Sequence, residues 1–119
     1  MLFPSPRRGE IWDVDWSPSR GSEQGGIRPA LIVQNDRGNA SERFPNTILL
    51  AISTKGRDIP FHVRLAPGED NGLDEVSWIK CEQVLTITKD RLRGRARGRI
   101  SLAQLEEVAT ALKLSLDLP

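Results

Sequence analysis

The stretch GGIRPALIVQND, residues 25–36, places an arginine and a proline directly before a run of four apolar residues. The apolar run, residues 30–33, is typical of a central β-strand that is covered on both faces. Arginine is almost never fully buried without a partner. Arg28, at the entrance to this strand, therefore has two alternative partners: a structural carboxylate such as Glu10 or Glu23, or an anionic substrate.

The length and composition of the chain are those of one globular domain. Its 119 residues are 38% hydrophobic and 28% charged, with a formal net charge of +1, which predicts a single domain over residues 1–119. A nearly neutral net charge argues against a protein that binds nucleic acid over its whole surface, so any contact with nucleic acid must come from local clusters of charge. A single cysteine, no signal peptide and no apolar run of about 20 residues predict a cytoplasmic protein with no membrane partner.

Apolar periodicity predicts a mainly β chain. Residues 10–16 alternate, as in a half-buried strand whose two tryptophans and one valine share a face. Further strands are predicted at residues 28–34, 47–53, 61–65 and 75–84, with a short additional one at residues 85–88. Residues 17–26 form a polar loop too long for a tight hairpin, as functional loops often are. A second polar loop, residues 35–46, is expected to hold a short helical turn.

The C-terminal region has the pattern of an α-helix. Ser101 followed by Gln104 forms a capping box, and apolar residues then recur at helical spacing, so one side of the helix is expected to pack on the sheet. These apolar residues are Leu102, Leu105, Val108, Ala109, Leu112 and Leu116. The sequence thus predicts a mainly β, compact antiparallel domain with a C-terminal α-helix.

Five sequence blocks stand in order along nearly the whole chain. They are RRGEIWDVDWSP at 7–18, GSEQGGIRPALIVQND at 21–36, NTILLAIST at 46–54, PFHVRL at 60–65 and CEQVLTITKDRL at 81–92. Together they resemble the MazF/PemK (Kid) family of toxin endoribonucleases. The resemblance implies a small SH3-like, CcdB-type barrel, usually a homodimer, that cleaves single-stranded RNA at short sequences without a metal or other cofactor. It also implies neutralisation by a labile, acidic cognate antitoxin of the MazE type.

The same resemblance places the family's catalytic residues on this chain. The catalytic arginine falls on Arg28, and the catalytic threonine falls on Ser53, with Thr54 next to it. Serine keeps the hydroxyl of threonine but lacks the methyl group that restricts the threonine side chain to few rotamers. The sequence therefore leaves open which of the two residues, Ser53 or Thr54, acts. A hydroxyl that caps a turn is the structural alternative for either one.

Other positions resemble the family's RNA-binding groove. Ser22, Gln24, Pro29 and Gln83 are expected to contact the substrate. Glu23 is a candidate either to accept the proton of the ribose 2′-OH or to orient the catalytic arginine.

The segment RLRGRARGR, residues 91–99, has an arginine at every second position. In an extended conformation these arginines would form a continuous cationic edge, with Arg95 and Arg97 bound to an RNA backbone or to the acidic antitoxin. The alternative is a solvated connection whose side chains point in different directions.

The remaining polar residues narrow the mechanism. His62 is the only histidine, which excludes, within one chain, a ribonuclease mechanism built on two histidines. Its place on the polar face of a strand predicts a surface residue. Asp13 and Asp15 share one strand face, but a metal nuclease needs several converging carboxylates, so a solvated face without a metal is predicted.

The alternative function is that of a non-catalytic CcdB-like toxin, which binds a protein target such as DNA gyrase and needs no pairing of arginine with hydroxyl.

Overall fold

The computed structural model describes residues 4–17 and 26–119. Its strands are β1 (Glu10–Asp15), β2 (Ile27–Ile32), β3 (Asn46–Ser53), β4 (His62–Leu65), β5 (Ser77–Thr88) and β6 (Leu92–Arg99), and its helices are α1 (Asp36–Ala40) and α2 (Leu102–Leu116). Within these residues the strands form one antiparallel sheet in the spatial order β4-β5-β3-β2-β1-β6. The predicted mainly β architecture with a C-terminal helix is confirmed, and so is the short helical turn after β2.

Each face of the sheet carries an apolar cluster. The first cluster packs the sheet against α2, which contributes Val108 and Ala111. The second lies on the opposite face and contains Trp12, Val14, Ala30, Ile32, Leu49 and Leu92, with Trp16 packed against it. The shared face predicted for the two tryptophans and the valine of β1 is therefore confirmed.

Pro29 lies inside β2, a central strand, whereas proline is normally confined to strand starts and edges. The N–H of Val33 donates to the Ile48 carbonyl of β3. Backbone groups of a strand alternate between its two neighbours, so Pro29, four residues earlier, also faces β3. The ladder between the two strands ends at Ala30. Because proline has no N–H to donate, the next hydrogen bond cannot form, and β2 and β3 part at this point.

Strand β5 is longer than the sequence predicts. Residues 75–84 and 85–88 were expected to form two strands, but a single strand runs from Ser77 to Thr88. Leu50 of β3 pairs with Val84 of β5, and Ile52 of β3 pairs with Ile79 of β5. The two pairs are therefore two residues apart in β3 but five residues apart in β5. The extra residues form an irregularity in the pairing of β5 with β3, and the exposed residue Gln83 lies in it.

Helix α2 buries only the middle of its predicted apolar stripe. The capping box is present, with Ser101 and Gln104 exchanging hydrogen bonds of 2.8 and 3.1 Å. Val108 is fully buried, but Leu102 and Leu116 are 81% and 50% exposed. Packing of these two leucines on the sheet is therefore a wrong prediction. The 15-residue helix contacts β4 and β5, and its ends reach past the buried cluster.

Lys89 is an unexpected buried charge between β5 and β6. Its side chain is 3% exposed, and its Nζ donates to the carbonyls of Gly38 and Ser41, at 3.1 and 3.0 Å. Burial lowers the pKa of this ammonium group. The cation is tolerated because it donates to two carbonyls at the negative C-terminal end of α1, whose other donors, the Ser41 and Phe44 N–H groups, lie farther away at 3.3 Å.

Replacing Lys89 with methionine is expected to lower the free energy of unfolding by about 1–3 kcal/mol, because the two carbonyls lose the shorter of their hydrogen bonds, each from a charged donor. Urea denaturation would measure this difference. Lys113→Met, at an exposed position of α2, is the control and should change the free energy by about 0.5 kcal/mol or less. Equal effects of the two substitutions would contradict the capping role of Lys89.

Candidate functional site

A cleft opens where β2 and β3 part. Its volume is about 260 Å³, and it is bordered by the start of β2, the end of β3 and the residues that follow β3. The residues that line it are Arg28, Pro29, Ile52, Ser53, Thr54, Lys55 and Ser77. The structure thus brings together the arginine and both hydroxyl residues that the sequence singled out. Lys55 and Ser77 were missed, although a lysine directly after the Ser-Thr pair was a visible signal.

The strand register explains why Arg28 and Ser53 meet. Ala30 of β2 is paired with Ala51 of β3. Arg28 lies two residues before the first alanine, and Ser53 lies two residues after the second. Because side chains alternate with a period of two along a strand, both residues emerge on the same face of the sheet, one on each side of the gap.

Arg28 is exposed at the border of this cleft. Within residues 4–17 and 26–119 its guanidinium forms no ion pair. Glu10, one of the two carboxylates considered as its partner, accepts instead from the Arg7 N–H at 2.7 Å and from the Trp12 indole at 3.1 Å. The Glu10 alternative is therefore wrong. Glu23, the other carboxylate, lies outside the described residues.

Ser53 holds a turn and also lines the cleft, so the two roles that the sequence left as alternatives are compatible. Its Oγ accepts a hydrogen bond from the Lys55 N–H at 3.0 Å, so the hydroxyl does cap a turn. A hydroxyl that accepts in this way keeps its own proton and can still donate it. The turn therefore fixes the position of Oγ and leaves its donor available to a ligand in the cleft. Thr54, the next residue, is exposed.

The other residues expected to contact a substrate are only partly placed. Pro29 lines the cleft, and Gln83 is exposed on β5 but is not among the cleft residues. Ser22 and Gln24 lie outside the described residues. Their contacts with RNA stay predictions.

The arginine-rich segment forms strand β6, but it is not a continuous free cationic edge. Arg97 donates to the Gly72 carbonyl at 3.0 Å, to Asp13 at 3.1 Å and to Asp74 at 3.4 Å. These contacts occupy the guanidinium and favour a structural role for it. Arg95, in contrast, is exposed.

The carboxylates of β1 are paired rather than solvated, which corrects the expectation from their spacing. Asp13 binds Arg97, and Asp15 binds Arg93 at 2.9 Å. The Ser17 N–H, together with the Arg93 guanidinium, holds the pKa of Asp15 below its usual value. In the part of the chain that the structure describes, no group of three or more histidine, cysteine or carboxylate side chains is arranged to hold a metal.

His62 is not the surface residue that its strand position predicts. Its side chain is 7% exposed. Nδ1 accepts a hydrogen bond from the Arg57 N–H at 3.1 Å, and Nε2 lies 3.0 Å from a Glu82 carboxylate oxygen. Both ring nitrogens are thus occupied by protein groups.

A larger cavity, of about 940 Å³, lies at the other end of β1. Glu10, Glu69 and Asp70 line it together with Arg99. Three carboxylates beside one guanidinium are a poor environment for a phosphate group. The smaller cleft at Arg28 is therefore the candidate site.

Cys81 offers no nucleophile elsewhere, because burial raises the pKa of its thiol to about 12.

Comparison with known proteins shows the family to which the chain belongs. Residues 7–116 match the family described as "PemK-like, MazF-like toxin of type II toxin-antitoxin system". The chain is 42% identical over 116 residues to endoribonuclease MazF9 of Mycobacterium tuberculosis, covering 94% of this chain and 97% of that relative. It is 40% identical over 115 residues to endoribonuclease MazF of Staphylococcus epidermidis, covering 94% and 92%. The chain belongs to the PemK/MazF toxin family, and the resemblance seen in the sequence is confirmed.

The fold is also that of solved structures from this family. An endoribonuclease from a mycobacterial species, solved in complex with its cognate antitoxin, superposes with a TM-score of 0.77. The two chains are 26% identical, and the match covers 96% of this chain and 97% of the other. None of the helices in the described residues is long and apolar enough to cross a membrane.

The two arginines at the centre of β6 are expected to respond differently to substitution. Arg97→Met should lower the free energy of unfolding by about 1–3 kcal/mol, because it leaves partners of a partly buried network unsatisfied. Arg95→Met should leave stability nearly unchanged and reduce the slope of log Kd for RNA against log salt by about one. Urea denaturation and salt titrations measure the two effects. A destabilised Arg95→Met protein with an unchanged salt slope would contradict this assignment.

Proposed function

We propose that this protein is a toxin endoribonuclease that cleaves single-stranded RNA at a short sequence and is neutralised by a cognate acidic antitoxin. Family membership supports the activity, and so do the names of both relatives, each an endoribonuclease. The observation that carries the proposal is the cleft in which Arg28 meets the hydroxyl groups of Ser53 and Thr54. The proposed assembly is a homodimer, and the proposed location is the cytoplasm.

The proposed reaction is a transesterification that needs no metal. The ribose 2′-OH attacks the adjacent phosphorus, the bond to the 5′ oxygen breaks, and the products are a 2′,3′-cyclic phosphate and a 5′-hydroxyl. Such a reaction needs the attacking oxygen held in line with the leaving oxygen. It also needs stabilisation of the charge on the phosphorane oxygens and two proton transfers.

Arg28 supplies the main positive charge in this mechanism. A guanidinium stays charged at neutral pH and binds phosphate oxygens through two parallel N–H groups. The exposure of Arg28 and its lack of an ion pair in the described residues support this role. The O–H of Ser53 donates to a non-bridging oxygen from the opposite wall of the cleft. Lys55 adds a second cation, placed to bind the scissile or a neighbouring phosphate.

The loop before β2 is proposed to complete the site. Glu23 precedes Arg28 by five residues in the sequence, and its carboxylate accepts the 2′-OH proton or orients the guanidinium. Ser22 and Gln24 contact the RNA from the same loop. His62 takes no part in proton transfer, since both of its nitrogens are engaged by Arg57 and Glu82.

A non-catalytic CcdB-like toxin is the less favoured function. A protein that acts only by binding another protein has no need for a cleft that joins an exposed arginine to hydroxyl donors. The relatives at about 40% identity are both named endoribonucleases.

Arg28→Ala is expected to lower the single-turnover cleavage rate of an oligoribonucleotide by about two to three orders of magnitude, comparable to the loss of one transition-state charge donor. RNA binding should be largely retained, because other cations still contact the backbone. Quenched-flow cleavage assays and a binding titration give the two quantities. A variant that cleaves at the wild-type rate would refute the role of Arg28.

Substitution of the two hydroxyl residues decides which of them acts. Ser53→Ala is expected to reduce the cleavage rate by at least about tenfold, because it removes both the donor and the contact that holds the turn. Thr54→Val, which keeps the shape of the side chain, should have a smaller effect. The same single-turnover assay compares them, and the reverse order would assign the role to Thr54.

Excess EDTA is expected to leave the cleavage rate unchanged, because the proposed mechanism uses only side chains. The assay is cleavage after extensive dialysis against the chelator. Loss of activity that magnesium restores would instead implicate a metal site, with Asp13 and Asp15 as the first residues to test.

A further inference from the structure

The segment between β3 and β4, residues 54–61, forms one wall of the cleft and has little packing of its own. Thr54 and Lys55 of this segment line the cleft. Seven of its eight residues are exposed, and Gly56 is the exception. A segment with so few buried contacts must be held in place by a small number of specific interactions.

The first of these interactions is a bridge from His62 to the segment and to β5. Its Nδ1 accepts from the Arg57 N–H at 3.1 Å, and its Nε2 lies 3.0 Å from Glu82. An Nδ1 that accepts a hydrogen bond carries no proton, so the proton is on Nε2 and is donated to Glu82. Burial alone would raise the pKa of Glu82, but this hydrogen bond, with the Lys80 charge, holds it below its usual value. The ionised carboxylate therefore fixes the ring that holds the segment.

The second interaction is a close contact between Gly56 and Trp78. A Cβ atom at Gly56 would lie 2.1 Å from Cγ of Trp78, so only glycine allows the backbone to approach the indole this closely. Trp78 pairs with Ser53 across the β3–β5 ladder. The backbone of the segment thus rests on the side chain beside the proposed hydroxyl donor.

We propose that His62, Glu82 and Trp78 are positioning residues for RNA cleavage, which hold the 54–61 segment so that Thr54 and Lys55 face the phosphate bound by Arg28. This inference rests on the proposed function. His62 acts through the Arg57 amide and never touches the substrate. A displacement of about 1 Å in such a wall can reduce the rate of a reaction about a hundredfold.

The first test compares two substitutions of His62. His62→Phe keeps a ring but removes the acceptor for the Arg57 N–H, whereas the side-chain oxygen of His62→Asn can replace Nδ1 as the acceptor. His62→Phe is expected to lower the single-turnover rate by about tenfold or more, and His62→Asn should recover most of it. The Kd for the same RNA, made uncleavable by a 2′-deoxyribose at the mapped cleavage position, should change much less. Amide exchange at Arg57 should accelerate only in His62→Phe.

The second test displaces the same segment without touching His62. Gly56→Ala introduces a methyl group into the Trp78 side chain and is expected to reduce the cleavage rate as His62→Phe does. Gly68→Ala is the matched control, because nothing lies within 4 Å of the added Cβ, and it should cleave at the wild-type rate. If His62→Phe fails to fold, the comparison of Gly56→Ala with Gly68→Ala tests whether the position of the 54–61 segment controls the cleavage rate.

Arg28→Ala, assayed on the same RNA, separates the two proposals. If it cleaves at the wild-type rate, the proposed site is wrong, and the positioning role falls with it. If Arg28→Ala is inactive while folded His62→Phe and Gly56→Ala proteins cleave at the wild-type rate, only the positioning proposal is overturned. Lower cleavage rates in both His62→Phe and Gly56→Ala, with the wild-type rate in Gly68→Ala, support the positioning proposal.

Discussion

The hydrogen-bonded ladder between β2 and β3 ends at Ala30 and Ala51, two residue pairs before Arg28 and Ser53 would come level. The backbone of Pro29 faces β3 at this point and has no N–H to donate. A central strand normally presents its whole length to both neighbours, and an arginine within it would be buried or paired. Here the missing donor lets the strands separate, so a charged side chain reaches solvent from the middle of a sheet. The cleft opens at the place where this hydrogen bond is absent.

Arg28 is one of the arginines that form no ion pair in the part of the chain that the structure describes. Arg93 and Arg97 pair with the aspartates of β1, so the arginine-rich strand contributes less free charge than its composition indicates. With a net charge of +1, attraction of an anion must come from a local group of cations. Arg28 and Lys55 form such a group on opposite walls of the cleft. In the proposed mechanism their charge is in place before a substrate arrives, and such preorganised charge stabilises a transition state effectively.

The features that the sequence predicted correctly are mainly local. Strand alternation in β1 and the capping box at Ser101 depend on neighbouring residues, and both were readable directly. The pairing of Arg28 with Ser53 needed the family resemblance, because no periodicity reveals which strands are neighbours. His62 was misjudged because its partner Glu82 lies twenty residues away on a strand whose irregular register the sequence does not reveal. The ion pairs of Arg97 were missed for the same reason, since Asp13 and Asp74 are distant in the chain.

The family resemblance implies a threonine where this chain has Ser53, and the structure offers a physical substitute for the missing methyl group. Threonine restricts its own rotamer through the methyl group, and serine lacks that restriction. The Lys55 N–H, at 3.0 Å from the serine Oγ, supplies a substitute, because the hydroxyl oxygen is fixed by a backbone donor. The orientation of Oγ then depends on the residues that follow β3, which in turn are held by Gly56 on Trp78 and by the Arg57 bond to His62. A hydroxyl that is intrinsically freer thus requires a more firmly anchored segment beside it, and this links the proposed hydroxyl donor to side chains that line no part of the cleft.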